Sequence, residues 1–191
     1  LNAGIVEGQT ALMKAAEIKG SLSTEIAKLL VSRGANIDAI FSYPSEGAMD
    51  YIEASERIDN GSSALMIAAR HGNAGMVEFL LAHGARINIK NLQGETALMI
   101  AAGSKNEEAA AIVRLLVQAA CESRINESQP NSVSADEGET ALMMAIKTGN
   151  MKIARFLLAY GVKTDLKNKA GDTALMMAIK NGNIELVKCL L

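Results

Sequence analysis

The sequence predicts an all-α solenoid in which short helix-turn-helix units are stacked in a row. The first observation is a recurring motif, Thr-Ala-Leu-Met-Xaa-Ala, which occurs four times and once more with Ser63 in place of its Thr. The second is a glycine two residues before every copy. The third is the spacing of the copies, 53, 33, 44 and 33 residues, which is a period of 33 with insertions of 20 and 11. A fixed period in this range is typical of stacked supersecondary units and not of one central core.

The elements of one unit follow from its residues, as the unit beginning at Gly138 illustrates. Gly138 favours a turn, and Thr140 is placed to cap the N-terminus of a first helix. Apolar residues at helical spacing follow, and then Gly149 ends this helix and Asn150 caps a second one, which Gly161 closes. A polar extended turn leads to the next glycine. Helices of about ten residues are marginal alone in water, so each unit must be stabilised by its neighbours.

A methionine follows the core leucine in every copy of the motif. With no Trp and only three Tyr and three Phe, the core must be aliphatic. We therefore expect these methionines to be packing residues and not part of a cofactor site. They are Met13, Met66, Met99, Met143 and Met176.

The joint spacing of these residues resembles a known repeat family. The first unit combines Gly8-Gln9-Thr10-Ala11-Leu12, Ala15-Ala16 and Gly34-Ala35-Asn36-Ile37-Asp38, and the second has Ala64-Leu65 and Gly84-Ala85-Arg86-Ile87-Asn88. This pattern resembles the ankyrin repeat, in which two antiparallel helices are followed by a β-hairpin-like finger. The family's Thr-Pro-Leu-His becomes Thr-Ala-Leu-Met here. That change removes some local rigidity and a buried His without threatening the fold.

The resemblance implies one ankyrin repeat domain over residues 1–191. We expect five repeats, at about 5–40, 58–90, 91–126, 135–167 and 168–191, with insertions at 41–57 and 127–134. The residues before Gly8 look like the tail of a preceding finger, and Leu191 falls within the second helix of the fifth unit. The chain is therefore expected to be a fragment of a longer protein.

Composition argues against several classes of function. The 19 Lys and Arg nearly cancel the 21 Asp and Glu, so no global field selects nucleic acid or an anionic membrane. No apolar run approaches the roughly 18 to 20 residues that span a bilayer. Cys121 and Cys189 occupy slots that are small or apolar in other units, so we expect buried, reduced thiols in a cytoplasmic protein.

The sequence contains no arrangement that supports catalysis. Its two histidines, His71 and His83, each precede a glycine that ends a helix, where a cation suits the helix dipole. No phosphate-binding glycine loop, metal-ligand cluster or paired-cysteine motif occurs. We therefore predict no catalytic residue, no cofactor and no metal site.

The family resemblance implies a partner-binding concave surface lined by the fingers and the first helices. The finger positions are Glu7, Gln9, Asp59, Ser62, Leu92, Glu95, Glu137, Glu139, Lys169 and Asp172. The helix positions are Glu17, Arg70, His71, Ser104, Lys147 and Lys180. The fingers are mostly acidic and the helix row is mostly basic. Our hypothesis is that the two bands flank a groove for a partner of mixed charge; the alternative is that these charges only keep the solenoid soluble.

The long insertion after the first unit carries half of the chain's Phe and Tyr, namely Phe41, Tyr43 and Tyr51. Two interpretations are open. These rings pack against the neighbouring fingers, or they are exposed anchors for a partner.

These observations predict a non-catalytic protein–protein interaction module. It would bind a protein partner along the concave finger and inner-helix surface, with the 41–57 loop as a further candidate contact. We expect a monomer that neither binds nucleic acid nor inserts into a membrane. The alternative is the target-recognition arm of a larger enzyme or of a secreted bacterial effector, which would act in the host cytosol. A passive spacer is a third possibility, against which the irregular insertions argue.

Overall fold

The computed structural model describes residues 10–41, 61–122 and 130–191. These residues form ten α-helices and one isolated antiparallel bridge, between Ile40 and Ser63. Five first helices are α1 (Ala11–Glu17), α3 (Ala64–His71), α5 (Ala97–Gly103), α7 (Ala141–Lys147) and α9 (Ala174–Lys180). Five second helices are α2 (Ser21–Ser32), α4 (Ala74–Ala82), α6 (Ala109–Glu122), α8 (Met151–Ala159) and α10 (Ile184–Leu190). The predicted fold class, an all-α repeat solenoid, is confirmed.

Every first helix begins directly after the hydroxyl residue of the recurring motif. In each case the side-chain oxygen accepts a hydrogen bond from the backbone N–H three residues later, at 3.2–3.4 Å. This bond satisfies one of the amides that a helix N-terminus leaves free. The capping residues are Thr10, Ser63, Thr96, Thr140 and Thr173.

The helices stack in two parallel layers. Each first helix packs against the first helices of the adjacent repeats, and the second helices stack in the same order. Their apolar faces meet in one continuous core. Four of the five motif methionines are at most 1% exposed, as predicted for packing residues, whereas Met176 in the last repeat is 47% exposed. Stability therefore comes from the contacts between repeats, as the shortness of the helices requires.

The short insertions between helices are accommodated in two ways. Helix α2 has 12 residues against nine in α4, so the first repeat turns its surplus into an additional helical turn that begins at Ser21. The third repeat instead places residues 104–108 in a loop before α6, and α6 has 14 residues. Both solutions leave the helix stack unchanged, since the additional residues lie at its edge.

The fingers are turns closed by backbone hydrogen bonds. Asn91 N–H donates to Glu95 O at 3.0 Å, and Asn168 N–H donates to Asp172 O at the same distance. In both turns the asparagine side-chain oxygen also accepts from the backbone N–H of its acidic partner, at 2.8 Å. These doubly closed turns hold the acidic residue in a fixed position at the base of each finger.

The prediction of two buried thiols is wrong, because Cys121 and Cys189 are both exposed. Cys121 lies in the last turn of α6, which continues past the point where other second helices have ended. Cys189 takes the position of Phe79, whose large ring is only 8% exposed.

Candidate protein-binding surface

Neighbouring fingers are joined to each other by backbone hydrogen bonds. Ala135 N–H donates to Gln93 O at 2.7 Å, and Lys169 N–H donates to Glu137 O at 2.9 Å. The third, fourth and fifth repeats therefore present their fingers as one connected row. A surface built on such a row is ordered before any partner arrives.

The base of a finger faces the end of the first helix that follows it. Lys147 Nζ lies 3.1 Å from Glu139 Oε1, and Lys180 Nζ lies 2.6 Å from Asp172 Oδ2. In both repeats the acid directly precedes the capping threonine and the base ends the helix. These ion pairs show that the finger row and the first-helix row lie on one surface.

The pairing alters the predicted picture of two charge bands that flank a groove. In the fourth and fifth repeats the acids and bases neutralise each other within the repeat. In the third repeat Glu95 Oε2 accepts from Asn91 Nδ2 at 3.0 Å. In the first repeat Glu17 pairs with Lys14 at 3.1 Å. Most of these charged side chains therefore form ion pairs or hydrogen bonds within the solenoid.

Three of the predicted partner-binding residues are buried in the structure. Phe41 is 3% exposed, Ser62 is 0% and Glu139 is 5%. Phe41 N–H donates to Ser62 O, and Gly61 N–H donates to Phe41 O, both at 2.8 Å. This pairing holds Phe41 in the finger with its ring in the core, which confirms the packing interpretation for this residue.

The other predicted partner-binding residues differ in their exposure. Exposed side chains on the surface are Leu92, Glu137, Lys147, Lys169 and Lys180. Half-buried side chains are Glu17, Arg70, His71, Glu95, Ser104 and Asp172. Glu7, Gln9, Tyr43, Tyr51 and Asp59 lie outside the described residues.

The structure adds Val133, which the sequence analysis did not select. Its side chain is 40% exposed, and its carbonyl accepts from Lys90 Nζ at 3.2 Å. Leu92, on the adjacent finger, is 65% exposed. The sequence could have indicated Val133, because it is an apolar residue near the end of the polar 127–134 insertion and lies next to a finger position.

The described parts of the chain bring no metal-binding cluster together. No group of three or more His, Cys, Asp or Glu in residues 10–41, 61–122 and 130–191 is placed to hold a metal ion. A cavity of about 360 Å³ lies beside the N-termini of α2 and α4, with Lys19 and Glu108 in its lining. Among the described helices, none has the length and apolar character needed to cross a bilayer.

The sequence matches models of a known repeat family along most of its length. A model described as ankyrin repeats (3 copies) matches residues 39–127 and 110–191, and a model of the single ankyrin repeat matches residues 7–40. The chain belongs to the ankyrin repeat family. Ankyrin repeats generally mediate protein–protein interactions.

Similar proteins come from animals and bacteria. The chain is 30% identical over 156 residues to the ankyrin repeat and KH domain-containing protein mask-1 of Caenorhabditis elegans, which covers 82% of this chain. It is 32% identical over 155 residues to the ankyrin repeat and KH domain-containing protein CBG24701 of Caenorhabditis briggsae, which covers 81%. A putative ankyrin repeat-containing protein of Treponema pallidum is 33% identical over 93 residues, 49% of this chain and 25% of its own length. The chain spans only 5% of the length of each of the two nematode proteins.

Proposed function

We propose that this ankyrin repeat domain is a non-catalytic module that binds a protein along the finger and first-helix surface. One observation carries the proposal. Leu92 and Val133 expose apolar side chains, 65% and 40%, on neighbouring fingers that are joined by the Ala135–Gln93 hydrogen bond. Exposed apolar groups on a rigid element are favourable anchors, since they bury area without much loss of conformational freedom.

The charged residues refine where the contact would lie. Because Lys147 and Lys180 already pair with finger acids, a partner gains little from them alone, whereas Glu137 and Lys169 are exposed finger residues. Surface charges of this kind set the association rate and orientation more than the affinity. The proposed contact residues on the described surface are Arg70, His71, Leu92, Val133, Glu137 and Lys169.

The test is a comparison of captured partners between two surface variants. The chain is immobilised, incubated with cell extract and analysed by mass spectrometry, beside the double variant Leu92→Asp/Val133→Asp. The matched control is Lys152→Glu, an exposed change on the second helix α8. We expect the double variant to lose a protein that the unchanged chain and the control both retain. If the unchanged chain, the double variant and the control captured the same proteins equally, the proposed binding surface would be wrong.

The alternative function, a recognition arm of a larger enzyme or secreted effector, is supported by one comparison. The chain matches only 5% of the length of either nematode protein. In that case the same surface would select a target for chemistry located elsewhere. Immunoprecipitation of the natural protein followed by a mass measurement distinguishes the two functions. The monomeric state, the cytoplasmic location and the absence of nucleic-acid binding stay predictions.

A further inference from the structure

The third repeat carries one half of an ion pair that the fourth and fifth repeats carry whole. In the fourth repeat the acid before the capping threonine, Glu139, pairs with Lys147 at the end of the first helix, and the fifth repeat has the same arrangement. The third repeat has Glu95 in the position of the acid, but its first helix ends at Gly103. The acid is therefore present and the lysine is replaced by a residue without a side chain.

The carboxylate of Glu95 is held in place, but its charge is not compensated. Its Oε2 accepts from Asn91 Nδ2 at 3.0 Å, and the backbone N–H of Glu95 donates to Asn91 Oδ1 at 2.8 Å. The donor to the carboxylate is thus a neutral amide. Among the residues that the structure describes, no Lys, Arg or His nitrogen lies within ion-pair distance of this carboxylate. A fixed, half-buried carboxylate of this kind gains from a cation that arrives with a partner.

Gly103 leaves room for such a cation. It lies inside α5, and a Cβ added to it would lie 3.7 Å from Met144 Cβ, which is an ordinary van der Waals contact. A side chain would therefore fit at this position. Its absence leaves open the path that the side chain of Lys147 takes in the fourth repeat.

An exposed apolar side chain lies on the same turn as Glu95. Leu92 is 65% exposed. It follows Asn91, whose backbone N–H donates to Glu95 O at 3.0 Å. The closed turn thus fixes the leucine and the carboxylate relative to each other before a partner arrives.

We propose, resting on the function proposed above, that Glu95 binds a basic side chain of the partner, flanked by an apolar residue that packs on Leu92. The partner's ammonium or guanidinium group takes the place beside Glu95 that the ammonium of Lys147 has beside Glu139. An arginine can also engage both carboxylate oxygens, because its guanidinium donates in a fork. The partner segment is therefore basic and apolar at adjacent positions.

A cation built into the chain tests whether this position lies within reach of Glu95. Gly103→Lys places an ammonium where the fourth repeat has one, and Glu95→Gln removes the charge while it keeps an acceptor for Asn91. We expect Glu95→Gln to shift the unfolding equilibrium about threefold to fivefold more in the Gly103→Lys chain than in the unchanged chain. Urea unfolding of the four chains measures this difference. Equal effects in both chains would overturn the proposal, and so would a large effect in the unchanged chain alone, since a cation would then already be in place.

A library of random short peptides on beads tests the chemistry of the partner. Labelled chains select beads, and the selected peptides are sequenced, for the unchanged chain, Glu95→Gln and the control Glu78→Gln, which changes an exposed acid on the second helix α4. We expect the unchanged chain and the control to select peptides that combine a basic with an apolar residue. Glu95→Gln should bind such a peptide about fivefold more weakly, and Gly103→Lys should weaken it as well because its own lysine occupies the site.

The library also separates failure of this proposal from failure of the proposed function. Selection of the same basic peptides by Glu95→Gln, or selection of peptides without a basic residue, would overturn the role of Glu95 and leave the binding surface standing. Unchanged selection by Leu92→Asp/Val133→Asp would instead overturn the surface itself.

Discussion

The ammonium group of Lys147 lies 3.1 Å from the carboxylate of Glu139, eight residues earlier in the chain. The two side chains differ in environment, since that of Glu139 is 7% exposed and that of Lys147 is 57% exposed. Ser134 holds the backbone of the same residue, because its Oγ accepts from Glu139 N–H at 3.1 Å. Glu139 thus connects to the preceding loop through its backbone and to the first helix through its buried carboxylate.

Lys147→Met should destabilise the domain by about 1–2 kcal/mol, because it leaves a buried carboxylate without its cation. Lys180→Met should cost less, since Asp172 is 17% exposed and stays better solvated. Urea unfolding followed by circular dichroism measures both values.

The control for this prediction is Lys28→Met. Lys28 pairs with Glu25 at 2.7 Å, but both side chains are well exposed, at 59% and 65%. Exposed pairs contribute about 0–1 kcal/mol, so this change should be close to neutral. If Lys28→Met and Lys147→Met cost the same, burial of Glu139 is not what makes its pair important.

Gly94→Ala should be more damaging than Gly84→Ala. Both glycines have positive φ, 72° and 82°, which alone disfavours a side chain by about 1–2 kcal/mol. A Cβ at Gly94 would also lie 2.4 Å from Ala135 N, whereas one at Gly84 meets nothing within 4 Å. The clash falls on backbone, so the two fingers must separate. We expect Gly94→Ala to have the lower thermal midpoint of the two variants and to show faster hydrogen exchange at the amide of Ala135. Equal thermal midpoints would mean that the two fingers move apart without a loss of stability.

Much of the fold follows from local sequence. Thr140 caps α7 and Asn150 caps α8, as predicted, because a cap depends on a side chain and an amide three residues apart. Gly149 has a φ of 72°, in agreement with its predicted left-handed conformation. The predicted length of about ten residues is too long for the first helices, which have seven or eight, and too short for α2 and α6, which have 12 and 14.

The surface was harder to predict because it depends on contacts between elements. The sequence showed acids before the capping threonines and bases at the helix ends, but not that Glu139 and Lys147 face each other across the turn. A signal was present, since Asp172 and Lys180 repeat the same spacing of eight. For Phe41 the sequence left packing and exposure open, because its burial depends on pairing with Ser62 on the far side of a long insertion.

Asn73→Asp should destabilise the domain by about 2 kcal/mol, while Asn150→Asp changes its stability by less than about 0.5 kcal/mol. Both asparagines cap a second helix through Oδ1, and aspartate performs this role equally well. Asn73 is also 5% exposed and its Nδ2 donates to Ile18 O at 2.6 Å and to Ser23 Oγ at 3.1 Å. The carboxylate loses both donated bonds and places a charge against a carbonyl. Urea unfolding of the two variants provides the comparison, and equal costs would show that the contact with the first repeat contributes nothing.

Both cysteines should react with a thiol reagent in the folded protein. Cys121 and Cys189 are exposed, and accessibility of the sulfur is one of the conditions for its reaction. Ellman's reagent should therefore titrate two thiols without denaturant, at rates within about tenfold of those in urea. The single variants Cys121→Ser and Cys189→Ser assign each phase to its residue. A thiol that reacts only after unfolding would show that its side chain is covered in solution, as a core position requires.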